Sequence, residues 1–104
     1  MKVTFWGVRG SYPVAADYCV RYGGNTPCLE VETGGITLLI DAGTGIYAAG
    51  KSLQERKISA IHLLVSHTHW DHIQGFPHFG PLLDSSVEIY VYALRRSQKT
   101  LKKI

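Results

Sequence analysis

Four side chains that can bind a metal ion lie within six consecutive residues, His67-Thr68-His69-Trp70-Asp71-His72. Imidazole nitrogens and a carboxylate suit zinc first, and iron, manganese and nickel accept the same donors. No cysteine lies close by in the sequence to narrow the choice. The stretch therefore predicts a metal site with zinc as the expected metal, and a solvated polar loop is the alternative.

The spacing of these four residues predicts two ligand pairs. In an extended chain alternate side chains share one side, which groups His67, His69 and Asp71. A helix that begins in this stretch turns His72 in a different direction. The ligands then divide into a His67/His69 pair and an Asp71/His72 pair, and two pairs indicate two neighbouring metal ions.

The apolar pattern predicts the elements that must position this stretch. Strands are expected at residues 2–6, 28–32, 36–40, 61–65 and 87–92, and helices at 46–57 and about 94–103. Thr33-Gly34-Gly35 predicts an antiparallel hairpin, and the continuous apolar run 61–65 predicts a central strand covered on both faces. This order of elements indicates a mixed α/β (α+β) fold, with residues 7–27 as a long functional loop.

Polar residues at strand ends and in the long loop are candidates for supporting the metal site. Asp41 and His67 each follow an apolar strand, and carboxyl ends of neighbouring strands can bring such residues together. We expect Asp41 to hydrogen-bond a ligand histidine and fix its tautomer; a helix N-cap is the alternative, and the two are compatible. Four loop residues are expected to hold an anionic substrate beside the metals, unless the loop is purely structural: Arg9, Ser11, Asn25 and Thr26.

Length and composition indicate a single domain over residues 1–104. The sequence has no run of about 18 apolar residues and no secretory signal, which predicts a cytoplasmic protein without membrane spans. Free thiols are expected at Cys19 and Cys28 rather than a disulfide. The isolated His62 and His78 are expected in the core or at the surface rather than on a metal ion, and His78, just beyond the metal stretch, is the better candidate of the two for a further ligand.

Positive charge is concentrated in the C-terminal segment 95–104. This segment holds five of the 11 Lys and Arg residues, so it accounts for the net charge of +3. We expect this basic segment to be a solvated helix end, and contact with nucleic acid or an anionic surface is the alternative.

The motifs in this sequence resemble those of the metallo-β-lactamase superfamily of metal-dependent hydrolases. His67-x-His69-x-Asp71-His72 matches its metal motif, and Leu39–Gly45 matches the segment that precedes it. Phe5–Ser11 and Tyr22–Thr26 look most like the branch of phosphodiesterases and tRNA-processing ribonuclease Z. The resemblance implies the first, β-rich half of an αββα sandwich, with a mixed sheet and one or two helices.

The resemblance also implies which ligands bind which of two metal ions. His67 and His69 are expected to bind one zinc ion and Asp71 and His72 a second, with manganese or iron possible, and with a water or hydroxide bridging the two. Hydrolysis of a phosphodiester or another small anionic substrate is the expected reaction. Asp71 is the candidate catalytic residue that orients or deprotonates the water, with ligation alone as its simpler role.

The sequence departs from this family because it resembles only the first of two similar halves. The later histidine, bridging aspartate and second histidine that complete the family's metal site have no counterpart after His78. Weaker metal binding and an incomplete enzyme are therefore expected. A sheet without its second layer predicts a homo-oligomer, and a non-catalytic metal-binding or oligomerising module is the alternative function.

Overall fold

A five-stranded mixed sheet and one α-helix form the described part of the chain, residues 1–94 of a computed structural model. The elements are β1 (Lys2–Gly7), β2 (Cys28–Thr33), β3 (Ile36–Ile40), α1 (Ile46–Glu55), β4 (Ala60–Val65) and β5 (Glu88–Ala93). The strands lie side by side in chain order, with β1 to β3 antiparallel and β3 to β5 parallel. The predicted α+β fold with a mixed sheet is confirmed.

Local backbone conformation explains where the elements turn and end. Gly34 and Gly35 connect β2 to β3 with φ of 54° and 77°, as a two-residue hairpin turn with positive φ at both positions requires. The predicted helix 46–57 ends earlier, at Glu55, because Lys57 adopts a φ of 55° that leaves the helical region. The predicted helix at about 94–103 and the basic segment 95–104 fall outside the described residues, except for Leu94.

The core lies between one face of the sheet and a layer made by α1 and short 3-10 turns within residues 76–83. The spacing of the buried positions on α1 matches one face of a helix. Buried apolar side chains come from both layers: Leu39, Ile61 and Leu63 from the sheet, Ile46, Ala49 and Leu53 from α1, and Phe79 from the turns. No helix in the described part of the chain is long and apolar enough to cross a membrane.

The other face of the sheet is uncovered in the described residues. Ile61 and Leu63 on β4 point to one face of the sheet and are fully buried. Leu64, which points to the other face, is 39% exposed. The prediction that strand 61–65 is covered on both faces is therefore wrong for residues 1–94, because α1 and the turns cover one face only. We call the uncovered side the open sheet face; its apolar members are Val3, Phe5, Leu29, Val31, Ile36, Leu38, Ile40, Leu64, Tyr90 and Tyr92.

Candidate metal centre

Two adjacent parallel strands bring the candidate residues to one edge of the sheet. Asp41 follows β3 directly, and its N–H donates to the Leu64 carbonyl of β4 at 2.8 Å. The Ala42 N–H donates to the His72 carbonyl, also at 2.8 Å. A Cβ on Gly43 would lie 2.5 Å from the Asp71 carbonyl oxygen, so only glycine permits this approach. The segment after β3 is thus fixed against the metal stretch.

Two side chains of the metal stretch, His67 and His72, come together, whereas His69 and Asp71 each lie beside one of them but outside the group whose ligand atoms are within 4.8 Å of one another. The ring centroids of His67 and His72 are 4.0 Å apart, and those of His67 and His69 are 4.6 Å apart in an edge-on arrangement. The Nε2 atom of His72 lies 3.3 Å from Asp71 Oδ2. A 3-10 turn at Trp70–His72 gives His72 its direction. His69 is the most exposed of the four, and the other three are half-buried.

Asp41 lies beneath these side chains and is buried, with 5% of its surface exposed. Its Oδ2 is 2.8 Å from His72 Nδ1, and its Oδ1 accepts a hydrogen bond from the Ser66 N–H at 2.7 Å. Atoms of Asp41, His67 and His72 lie within 4.8 Å of one another, which is compatible with a shared metal ion. Because both carboxylate oxygens of Asp41 are already hydrogen-bonded, the geometry fits a supporting role better than direct ligation.

Helix α1 excludes the alternative role of Asp41 as an N-cap. The helix begins at Ile46, its N-cap residue is Gly45, and no side chain among the described residues caps it. The side chain of Asp41 points instead to Ser66 and His72. Sequence reasoning did not select Ser66, although it directly precedes His67 and its hydroxyl lies 2.9 Å from His67 Nδ1.

Asp71 is held by a backbone group from the long loop. The Ser11 N–H donates to Asp71 Oδ2 at 3.0 Å. This hydrogen bond, followed by the positive charge that His72 and His67 can carry, lowers the pKa of the Asp71 carboxyl below its usual value. Ser11 thus contacts a predicted metal ligand through its main chain.

The remaining candidates for substrate binding occupy different environments. The Arg9 Nε donates to the Tyr12 carbonyl at 3.0 Å, which folds its guanidinium onto its own loop. Thr26 has no exposed surface; its Oγ1 accepts hydrogen bonds from the Thr44 N–H at 2.7 Å and from the Gln74 side chain at 3.1 Å. This burial argues against direct contact between Thr26 and a substrate.

Asn25 is exposed and lines a cleft of about 620 Å³ beside α1. Tyr47, Phe79 and Leu83 contribute apolar surface to this cleft, and none of the four predicted metal ligands lines it. His78 also lines it, outside the ligand cluster. His62 is half-buried on the open sheet face, with its Nδ1 2.9 Å from the Tyr92 hydroxyl. Both isolated histidines lie outside the group of residues that could share a metal ion.

Comparison with known families identifies the chain. Residues 21–98 match the family model of the metallo-beta-lactamase superfamily, over well more than half of the chain. The chain belongs to the metallo-beta-lactamase superfamily. The match includes both the metal stretch and the segment around Asp41, so the family predicted from these motifs is confirmed.

Comparison with a solved structure supports the same fold for this metallo-beta-lactamase superfamily chain. The chain is similar to the crystal structure of a new diphosphatase from the PhnP family, with a TM-score of 0.59 and 21% sequence identity. The similarity covers 97% of this chain and 44% of that protein, so the chain spans less than half of its length. A search of curated proteins finds no significant match.

The residues present in this superfamily member fit a metal ion. The Nδ1 atoms of His67 and His72 are each engaged by a hydrogen-bond partner, Ser66 and Asp41 respectively. The Nε2 atoms are the ring positions left for a cation, and the carboxylate of Asp71 lies beside one of them. Two imidazole nitrogens with a neighbouring carboxylate form a donor set typical of zinc and related divalent ions.

Proposed function

We propose that this chain binds two metal ions and takes part in the hydrolysis of a phosphodiester. The observation that supports this most directly is the close approach of His67 and His72, whose Nδ1 atoms are both hydrogen-bonded, with the carboxylate of Asp71 beside His72 Nε2. His67 and His69 would hold one ion, and Asp71 and His72 the second; zinc is proposed first, with manganese or iron as alternatives. When bound, such ions activate a water and neutralise charge on the substrate's phosphoryl oxygens.

Asp71 is the proposed catalytic residue. Like any aspartate of ordinary pKa, it is ionised at neutral pH, and the Ser11 N–H lowers the pKa further, so it can pair with a cation without first losing a proton. We assign Asp71 to orienting the attacking water or accepting its proton, in addition to binding the second ion.

A phosphorus ester is the proposed substrate class. The PhnP-family neighbour is named as a diphosphatase, and the segments 5–11 and 22–26 resemble the phosphodiesterase branch of the superfamily. The loop that contains Arg9 is attached to the candidate centre through the Ser11 N–H. We propose that Arg9, Ser11 and Asn25 contribute to binding the substrate's negative charge, and that Thr26 supports them from within the fold.

The isolated chain should bind metal more weakly than a complete member of the superfamily. Each proposed pair supplies two protein ligands, whereas catalytic zinc sites normally have three. The neighbouring solved structure has more than half of its length outside the match. Turnover by residues 1–104 alone is therefore expected to be slow.

Metal content and hydrolysis together test the proposal. The purified chain is depleted of metal, titrated with Zn²⁺ or Mn²⁺, and assayed with bis(4-nitrophenyl) phosphate, alongside elemental analysis. Asp71→Ala should lose both hydrolysis and at least about tenfold in Zn²⁺ affinity. Asp84→Ala removes an exposed aspartate from the turn before β5 and serves as the matched control. Equal Zn²⁺ affinity in the two variants would show that the proposed site is wrong.

The open sheet face favours a second candidate function, a metal-binding module that self-associates without catalysis. Six of its apolar members are 39–71% exposed: Val3, Phe5, Ile36, Leu64, Tyr90 and Tyr92. From these fractions and ordinary side-chain areas, the face exposes about 600 Å² of apolar surface, or about 1,200 Å² for two copies. That total lies at the lower end of the range for specific protein interfaces. A second copy of the chain is therefore the proposed partner.

Sedimentation velocity tests this association at concentrations up to about 100 μM. We expect a dimer whose dissociation constant rises at least about tenfold in Phe5→Ser, which removes the most exposed aromatic ring of the face. Tyr18→Ser is the control, because Tyr18 is 79% exposed in the long loop and lies outside the face. A monomer at every concentration, or an equal effect of both variants, would refute self-association through this face.

A further inference from the structure

A serine hydroxyl connects the buried carboxylate of Asp41 to the first histidine of the metal stretch. Ser66 Oγ lies 2.8 Å from Asp41 Oδ1 and 2.6 Å from Asp41 Oδ2. The same oxygen lies 2.9 Å from His67 Nδ1. On the other side, Asp41 Oδ2 lies 2.8 Å from His72 Nδ1. One carboxylate is thus in contact with His72 directly and with His67 through Ser66.

The directions of these hydrogen bonds follow from the available protons. An ionised carboxylate only accepts, so the single hydroxyl proton of Ser66 points to Asp41. Ser66 Oγ must then accept a hydrogen bond from His67, whose proton is placed on Nδ1. His72 likewise donates from Nδ1 to Asp41. Both imidazoles are therefore held in the tautomer that leaves the Nε2 lone pair free.

The backbone at Asp41 adds independent support for a functional role of the carboxylate. Asp41 has a φ of 68°, in the left-handed region that glycine adopts most readily. Aspartate and asparagine tolerate this region better than most other residues, although glycine would adopt it with less strain. The side chain that favours aspartate over glycine here contacts Ser66 and His72.

We propose that Ser66 is a positioning residue that sets the tautomer of His67, so that Asp41 controls one histidine from each of the two proposed ligand pairs. The proposal rests on the metal site of the proposed function. It assigns separate effects to the two supporting residues. Ser66→Ala should remove the group that fixes the tautomer of His67 and leave the tautomer of His72 unchanged. Asp41→Asn presents an amide N–H toward His72 once its oxygen accepts from Ser66, so it should disturb His72 first, while asparagine still tolerates the positive φ.

Nitrogen NMR of the metal-free full chain tests the tautomers without any need for activity. With ¹⁵N-labelled histidine and neutral imidazoles, we expect His67 and His72 to be protonated at Nδ1 in the unmodified chain. In Ser66→Ala, His67 should become a mixture of tautomers while His72 is unchanged. Ser66→Thr retains the hydroxyl and should restore the original signals. Ser86→Ala removes a hydroxyl bonded to Asp84 in the turn before β5 and should leave both histidines unaffected.

A Zn²⁺ titration provides the second readout. Loss of a group that orients a ligand histidine typically lowers metal affinity by about 10- to 100-fold, and we expect a loss in this range for Ser66→Ala and none for Ser86→Ala. The proposal is overturned if the His67 tautomer is the same with and without the Ser66 hydroxyl, or if His72 changes as much as His67. Because the tautomers are observed without metal, absent hydrolysis would count against the proposed function and not against this role of Ser66.

Discussion

Replacing Arg56 by methionine should destabilise the fold strongly, because it leaves the buried negative charge of Glu30 without its positively charged partner. Glu30 on β2 is 1% exposed and lies inside the core layer. Its carboxylate accepts hydrogen bonds from Arg56 at 2.8 and 3.0 Å and from the Trp6 indole N–H at 2.9 Å. Arg56→Met keeps the length of the side chain and removes the only cation bonded to Glu30 among the described residues.

The expected loss in the free energy of unfolding depends on whether the unpaired Glu30 carboxylate stays charged or takes up a proton. Breaking a buried ion pair by removing one partner costs about 3–5 kcal/mol. Protonation sets a ceiling, because neutralising an ordinary glutamate at pH 7 costs about 3.7 kcal/mol. The Trp6 N–H remains as a partner and reduces the penalty somewhat. We therefore expect Arg56→Met to lower the free energy of unfolding by about 3 kcal/mol at pH 7, with a smaller loss at pH 5.

Urea denaturation followed by circular dichroism measures this loss, with Lys51→Met as the control. Lys51 is an exposed cation on α1, the helix that Arg56 directly follows, so its removal changes the charge equally and should change stability by less than about 0.5 kcal/mol. Adding Glu30→Gln to Arg56→Met should recover part of the loss, since the buried charge is then gone. If Arg56→Met and Lys51→Met have equal effects, the buried ion pair does not stabilise this fold as described.

Three further changes test other parts of the structure. Burial raises the pKa of the Cys28 thiol from 9.0 to about 12, so a thiol reagent at pH 8 should modify Cys19 and spare Cys28 until denaturant is added. Stability should also fall above pH 9, because the unfolded chain then releases a thiol proton that the folded chain retains; equal labelling of both cysteines would contradict this. Hydrogen bonds from Ser86 lower the pKa of Asp84, so its NMR titration midpoint should lie below 3.8 and rise in Ser86→Ala, and the stabilisation it provides should be lost as the pH falls through that midpoint. A Cβ on Gly75 would lie 2.1 Å from a backbone oxygen, so Gly75→Ala should lower stability by about 2 kcal/mol in thermal denaturation, and an unchanged Tm would refute this close approach.

Sequence patterns predicted those features of the fold that depend on short-range information. Residues 28–40 form the expected hairpin because Gly34 and Gly35 supply the positive φ values that its turn needs. The amphipathic spacing after Gly45 produces α1, and the ends of two apolar strands bring Asp41 close to the metal stretch. The hairpin and the helix each follow from one local rule, and the position of Asp41 follows from the rule that the carboxyl ends of neighbouring parallel strands meet at one edge of the sheet.

Other features depend on tertiary contacts that local patterns do not contain. An apolar run such as 61–65 can be covered on one face or on both, and only the full arrangement of layers distinguishes these cases. Thr26 is a polar loop residue, yet it is fully buried, and hydrogen bonds from Thr44 and Gln74 satisfy its hydroxyl there. The contact between the Ser11 N–H and Asp71 joins groups 60 positions apart through the main chain, which side-chain patterns do not reveal.

Positive φ angles mark the non-glycine residues whose backbone departs from local rules, and these residues fall into two groups. Among the described residues, Ser11, Asp41 and Lys57 are the non-glycine positions with positive φ. Lys57 follows α1, where a left-handed residue is a common way to end a helix. Neither Ser11 nor Asp41 follows a helix, although aspartate adopts positive φ more readily than most residues; they contact Asp71 and His72, the two residues of one proposed ligand pair. Positive φ away from a helix end is thus found where two distant segments meet the metal stretch, which is the distribution expected when a binding site and not secondary structure selects the backbone conformation.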